Sequence, residues 1–570
     1  MKIDKLAVIS LFIPLLIYLV TLAPTVYWGD SGELITAIHT LSIPHPSGYP
    51  TYILLGKLFT LLPFGTVAFK ANLFSAVFAA LTCLLVFLIC LHITKSAPAS
   101  MAAAFIFAFS KTFWGQAVVA EVYTMHAFFL ALNIYLLLEY TKTHEPKYLY
   151  LFTFCFGLSL THHITSILFA PAYLILLLKN QQITKHIPLC AVLFIVSLTP
   201  YIYLPIRSAM NPVIDWNNPE NLSNLITHIT GKEYHYLLKI TEPPISDFFS
   251  QFYSEVGILA MLFGIIGIAA LKKPSRATVA FAGIICITSF YGLLYRITDI
   301  GNYISPIILA YTFFIAIGLN NVFAKFKLTS KSILAIALLL ILFPLISNYT
   351  TNNKSNYLYA YHYGLNVLNV LENNSILIGR GDNDLGIFSY LQNVEGKRKD
   401  ITFVEMHLLV KPWFFNKVAD TLHLDPNGKI FWSYTNRTHA DQTISLFLNQ
   451  LLTKNIHKRP IYATFLDIDT EYSLNIISQV AKVQNQSQLY PFTTPAYPYV
   501  GIPADYYGRH QLSLATQIIG INALQNSEWN AAIEYLAYST ELQPKNVPAL
   551  NNLAIAYIKT NQPQKALDTW

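Results

Sequence analysis

Charge is what this chain of 570 residues has least of. Asp, Glu, Lys and Arg make up 12% of it, where a soluble domain carries roughly 25%. With 54% hydrophobic residues and a mean hydropathy of +0.44, a soluble globular protein is excluded. A polytopic membrane protein with a more polar tail is expected. Cysteine is scarce too. Cys83, Cys90, Cys155, Cys190 and Cys286 all lie in or beside apolar runs, and the polar tail has none. No CxxC pair occurs, which argues against a zinc ribbon and a disulfide framework. There is no Lys/Arg block either, and the net charge is only +7, so nucleic acid is excluded as a partner. The N-terminus has the charge–apolar order of a signal peptide, Lys2 and Lys5 before Leu6–Ala23. It lacks a small-x-small cleavage site and reads as an uncleaved first span.

What is abundant is apolar runs of membrane-spanning length. A helix needs about 20 apolar residues to cross a bilayer, and candidates lie near 6–23, 69–93, 97–114, 124–140, 148–161, 163–179, 187–205, 251–271, 278–295, 303–321 and 331–347. That is about eleven spans. The run 51–64 is short, bears Lys57 and is bounded by Pro50 and Pro63. It is read as a juxtamembrane helix that does not cross. With the N-terminus inside, Lys2, Lys5, Lys95, Lys142, Lys147, Lys179, Lys185, Lys272, Lys273, Arg276, Lys325, Lys327 and Lys331 then fall on the inner side. Fewer basic residues fall outside, and a crossing at 51–64 would reverse that bias. The tail is therefore expected outside the cytoplasm.

The same assignment sorts the reactive side chains to the outer edge. The stretch TLAPTVYWGDSGELITAIHTLSIPHPSGYP (21–50) carries Asp30, Glu33, His45 and Tyr49. Carboxylates and an imidazole beyond a first span suit proton abstraction, sugar binding or metal coordination. A plainer reading is a helix through Leu34–Ile38 capped by Asp30 or Ser31, with Glu33 in its first turn. Also on the outer edge are Glu121 and Tyr123 in WGQAVVAEVYTMH, and His162 and His163 in THHIT. Arg207, Asp215 and Trp216 in YLPIRSAMNPVIDWNNPEN and Arg296 and Asp299 in YRITDIGNY complete the set. Singly these are ordinary interfacial residues; together they suggest one site built from several loops. Leu222–Leu237, in the longest of these loops, reads as an amphipathic helix lying on the bilayer.

The tail is expected to be a small α/β domain. Strands are read at 375–378, 401–406 and 460–466, with a helix at 388–392 and the turn GRGDND between the first strand and that helix. Strand ends of this kind often bind ligands, but GRGDND is neither a GxGxxG fingerprint nor a P-loop. From 510 the chain is helical. Leu550, Leu553, Ala554, Tyr557 and Ala566 stand at tetratricopeptide spacing, and Ala532 and Ala566 are one 34-residue period apart. About one and a half units are present where stacking needs about three, so the chain is expected to be truncated there, or the last helices to pack on the α/β domain. The expected domains are 1–347 in the membrane, 348–509 as the extracytoplasmic α/β part and 510–570 as incomplete tetratricopeptide-like helices.

The opening signature, together with WGQAVVAEVYTMHAFF, LSLTHHIT and GDNDLGIFSYLQ, resembles the domain-of-unknown-function 2723 membrane proteins. That group includes an animal transmembrane protein O-mannosyltransferase. The group in turn is similar to the GT-C glycosyltransferases, which use a polyprenyl-phosphate sugar and face away from the cytoplasm. The resemblance implies a bacterial inner-membrane enzyme and an essential acid in the first outer loop, which here is Asp30, with Glu33 beside it.

On that basis Asp30 would take the proton from an acceptor hydroxyl as it attacks the anomeric carbon with inversion. Arg207, and after it Arg296, would face the lipid-phosphate leaving group. Glu33, His45, Tyr49, Glu121, Tyr123, His162, His163, Asp215, Trp216 and Asp299 would bind sugar or acceptor. Asp30, Glu33 and a histidine could hold a divalent metal, but their spacing matches no recognised metal motif, and no metal is assigned. Besides membrane lipid and donor, the expected partners are a protein or envelope-glycan acceptor and a protein docked on the tetratricopeptide-like helices. A lipid-linked sugar flippase and a membrane-anchored scaffold are the rival classes. A flippase should carry polar groups at mid-bilayer, and no internal two-fold repeat is evident.

Overall fold

The computed structural model describes residues 3–178, 183–238, 245–295, 300–425, 437–466, 472–499, 501–503 and 505–569. They form two compact units. One comprises Met1–Pro24 and Ala37–Asn356, the other Thr25–Thr36 and Tyr357–Trp570.

The first unit is helical. Among the described residues, six of its helices are long and apolar enough to cross a membrane: Val67–Thr94, Ile183–Ser208, Ser250–Ala269, Arg276–Leu294, Ser305–Lys325 and Ser330–Asn352. The protein is integral to a membrane. Shorter apolar helices cover Lys5–Val20, Ala97–Ala108 and Ile164–Leu177. A helix the length of Ala97–Ala108 rises only about 18 Å, against a hydrocarbon core of about 30 Å. It packs through Ala99, Ala102, Ala103, Ala104 and Ala108, all fully buried, against Val67–Thr94 and Ser305–Lys325. Small side chains let helix backbones approach where lipid supplies no hydrophobic drive. The ambiguous stretch forms a helix over Pro50–Thr60, 11 residues starting with proline at its first turn and about 16 Å long.

Residues 222–237 do not form one amphipathic helix. They form an α-helix, Leu222–Thr230, and a 3-10 turn, Lys232–Leu237, separated by Gly231 at φ 60°. Leu222 and Ile226 are 71% and 52% exposed, while His228 and Glu233 are buried. Two apolar side chains thus face out while His228 and Glu233 face in, although Ser223, Thr230, Lys232 and His235 are also exposed.

The second unit is built on a five-stranded sheet of order β2-β1-β3-β5-β4. Its strands are β1 (Ile376–Gly379), β2 (Thr402–Glu405), β3 (Ile461–Ala463), β4 (Ser473–Ile477) and β5 (Val480–Gln484). β1 pairs in parallel with β2 and β3, with Ile378 opposite Val404 and Ala463; β5 is antiparallel to β3 and β4. The helix Gly381–Asn393 leaves the end of β1. The β4–β5 hairpin has no sequence announcement. Its turn is Ser478–Gln479, with Ser478 at φ 54°, where Asn-Gly or Asp-Gly is the usual signal.

Helices Tyr506–Gln525, Trp529–Leu542, Val547–Lys559 and Pro563–Thr569 follow. They bury Ala532, Leu536, Ala549, Leu553 and Ala556 among themselves. They also pack on the sheet domain, where Asn522 Nδ2 donates to the Ile476 carbonyl at 3.0 Å and Asn526 Nδ2 to the Tyr490 carbonyl at 2.8 Å. The division of the molecule differs from sequence order in one respect. Thr25–Thr36, the stretch with Asp30 and Glu33, belongs to the second unit.

Candidate active site

The carboxylates come first. Asp30 precedes the helix Ser31–Thr40, and its carbonyl accepts from the Leu34 amide at 2.9 Å. Glu33 sits in the first turn, where a carboxylate complements the helix dipole. The stretch is held at many points within the second unit. Trp28 is 1% exposed; its Nε1–H donates to the Tyr357 hydroxyl at 3.0 Å, and its ring lies 5.5 Å from that of Tyr363. The Gly29 amide donates to Asn383 Oδ1 at 2.7 Å. Gly32 lies against Gly386 so closely that a Cβ on it would drive into the Gly386 carbonyl. Asp30 is half-buried and Glu33 is buried.

The partner of this stretch is the GRGDND turn. Asp384 is buried and accepts from the Arg380 amide (2.8 Å), Tyr363 hydroxyl (2.8 Å) and Thr464 hydroxyl (2.6 Å). Burial raises its pKa, and these hydrogen bonds oppose the rise. The Gly381 amide donates to Glu405 Oε1 at 2.7 Å, and Glu405 Oε2 accepts from the Leu408 amide at 2.7 Å. The hydrogen bond to Glu405 raises the pKa of His407. The charged residues of this turn brace the start of a helix, and that helix presents Asn383 and Gly386 to the Trp28–Glu33 segment.

In the first unit, imidazoles and aromatic rings gather. Tyr49 Oη is 2.9 Å from His45 Nε2, and the His45 ring lies 6.2 Å from Trp216. Trp216 Nε1–H donates to Glu233 Oε1 at 2.8 Å. His163 packs 5.6 Å from Tyr49, 6.1 Å from Tyr123 and 4.8 Å from His126, and the Thr165 hydroxyl is 2.7 Å from its Nδ1. His162 Nε2 meets the Val122 carbonyl at 2.9 Å. Tyr303 stacks edge-on to Tyr123. His228 is 0% exposed and neither ring nitrogen has a hydrogen-bond partner among the described residues. Burial, and secondarily the charge of His45, lowers its pKa to about 3, so it is neutral at physiological pH.

Of the residues expected to act together, His45, Tyr49, Tyr123, His162, His163 and Trp216 share this cluster. Glu121 is buried beside it, its amide donating to Ser75 Oγ at 3.2 Å. Arg207 braces a helix end. Its Nε donates to the Leu41 carbonyl at 2.7 Å and its Nη2 to the Thr40 carbonyl at 3.1 Å, closing the end of the helix Ser31–Thr40. Asp215 forms a parallel bridge with Ile43 and accepts from Ser208 Oγ at 3.1 Å. Arg296 and Asp299 lie outside the described residues. Sequence reasoning missed His228, Glu233, His126, Tyr303 and Asn383. The signal for His228 was its place opposite Leu222 and Ile226 on a short helix.

Residues 30–186 match the domain described as "Protein O-mannosyl-transferase TMEM260 N-terminal domain", and residues 360–442 match "TMEM260-associated domain 2". Protein O-mannosyl-transferase TMEM260 of Mus musculus is 26% identical over 454 residues, 71% of this chain and 63% of that protein. Its Dictyostelium discoideum namesake is 25% identical over 517 residues, 78% of this chain and 62% of that protein. The chain thus spans less than two thirds of the length of these relatives. Among solved structures, ArnT from Cupriavidus metallidurans bound to undecaprenyl phosphate superposes with TM-score 0.58 at 12% identity, over 85% of this chain and 99% of ArnT. Its apo state superposes with TM-score 0.57. The chain has the fold of ArnT and, in sequence, is similar to the protein O-mannosyl-transferases TMEM260 of Mus musculus and Dictyostelium discoideum.

Proposed function

We propose that this protein transfers a sugar, mannose on the strength of its relatives, from a polyprenyl-phosphate carrier to a hydroxyl of a protein acceptor. The donor class follows ArnT, whose structure holds undecaprenyl phosphate. The acceptor class follows the relatives named protein O-mannosyl-transferases. The reaction would run on the extracytoplasmic face of a membrane crossed eleven times, with the N-terminus inside. Asp30 accepts the acceptor proton, and a carboxylate placed for this contributes typically about 10²–10⁴-fold. The anomeric carbon inverts through an oxocarbenium-like transition state. Imidazoles and tyrosines of the His45–His163 cluster bind sugar hydroxyls. Arg207, braced on two carbonyls, and Arg296 are the candidates for the leaving phosphate.

The observation that carries this reading is the sequence similarity to two O-mannosyl-transferases, joined to a half-buried Asp30 on a braced loop. Purified protein, radiolabelled polyprenyl-phosphate mannose and a serine/threonine-rich acceptor protein test it. Wild type should transfer label, and a folded Asp30→Asn should lose at least about 10²-fold. Equal transfer by both removes Asp30 from the chemistry.

A further inference from the structure

The two domain matches, 30–186 and 360–442, meet inside the second unit. Three backbone points flank the two carboxylates. The Gly29 amide, one residue before Asp30, is fixed by Asn383, 354 positions away in sequence. Gly32, between Asp30 and Glu33, has its α-carbon against Gly386. A Cβ on Gly386 would stand 2.9 Å from the Gly29 carbonyl oxygen and 3.3 Å from the Glu33 nitrogen. Gly386 must therefore lack a side chain for the loop to lie where it does. The helix carrying Asn383 and Gly386 is itself braced at its first turn by Asp384 and Glu405, through the Arg380 and Gly381 amides. The sheet thus braces the helix start, the helix braces Gly29 and Gly32, and these set the path of the backbone at Asp30 and Glu33.

We propose that Asn383 and Gly386 are positioning residues for the Asp30–Glu33 carboxylates, so that the second unit forms part of the catalytic apparatus. This rests on the reading of Asp30 as the base. Neither residue needs to offer an atom to substrate. Each acts through the backbone of the loop, and a misplacement of about 1 Å can cost about 10²-fold in rate.

The test uses the full chain in detergent, with sugar transfer and amide hydrogen exchange of residues 27–35 as separate readouts. Asn383→Leu removes the acceptor of the Gly29 amide. It should lower kcat by about 10²-fold, leave KM for the polyprenyl-phosphate donor within about twofold, and speed exchange at the loop. Asn383→Asp keeps an oxygen acceptor and should restore slow exchange and most of the rate. Gly386→Val should repeat the Leu phenotype, with the melting midpoint monitored to exclude global unfolding. A folded Asn383→Leu with full kcat overturns the inference and leaves the transferase reading standing. So does fast exchange of the loop in wild type. Failure of the Asp variant to rescue a folded protein also overturns it. Transfer that is insensitive to Asp30→Asn sinks the reading of Asp30, and the catalytic part of this inference with it.

Discussion

His228 is 0% exposed, and neither of its ring nitrogens has a hydrogen-bond partner among the described residues. A pKa of about 3 lies below the unfolded value of about 6.5. The neutral ring is favoured in the fold, so its stabilisation is complete above about pH 6.5 and is lost as pH falls toward 3. Each pH unit in that window costs up to about 1.4 kcal/mol for one such group. Melting midpoints measured from about pH 7 to 4.5 should fall less steeply in His228→Gln than in wild type; parallel curves would show that the ring is not buried neutral. Gly32 makes a second residue-scale prediction. Its α-carbon faces the Gly386 backbone with no room for a methyl group. Overpacking costs about 1–3 kcal/mol, so Gly32→Ala should lower the midpoint of thermal unfolding by several degrees. An unchanged midpoint would mean that the two glycines are not in contact.

Among elements, the helix Leu222–Thr230 shows where reading by pattern stops. Its amphipathicity was legible. The direction was not, because a helix with one apolar face fits either water or lipid on that face. In the fold Leu222 and Ile226 point outward and His228 inward, which favours lipid on the outer face. A nitroxide at Leu222 should therefore relax more with oxygen, which concentrates in lipid, than with a water-soluble nickel reagent; one at Glu220 should show the reverse. Equal water access at both would remove the helix from the membrane surface. The strands divide in the same way. β1, β2 and β3 are short β-branched or aromatic runs with turn residues beside them, and they could be read directly. β4 and β5 were missed because Ser478–Gln479 offers no glycine or asparagine to mark the hairpin.

At the scale of the whole molecule, the apolar runs made the membrane half legible, and the position of Asp30 after the first run marked it as a candidate. What no local pattern could show is that Thr25–Thr36 takes its packing from residues beyond 356. Contacts 354 positions apart leave no periodicity in a single sequence. The consequence is mechanical. Trp28, buried against Tyr357 and Tyr363, removes roughly 150–250 Å² from water, about 4–6 kcal/mol at 25 cal/mol per Å². Tyr27 adds a ring contact with Tyr357 at 4.8 Å, and Gly29 a hydrogen bond to Asn383. A protease site inserted after the exposed turn residue Asn356 would cut the chain without touching this packing. The nicked protein should stay as one species on size-exclusion chromatography in mild detergent, because the N-terminal fragment still supplies part of the second unit's core. Combining the nick with Trp28→Ala, which removes about 3–5 kcal/mol of that packing, should release the fragment that begins at Tyr357. Release by the nick alone would mean that the segment from Thr25 to Thr36 is only lightly held, and that Asp30 is positioned by its own chain neighbours.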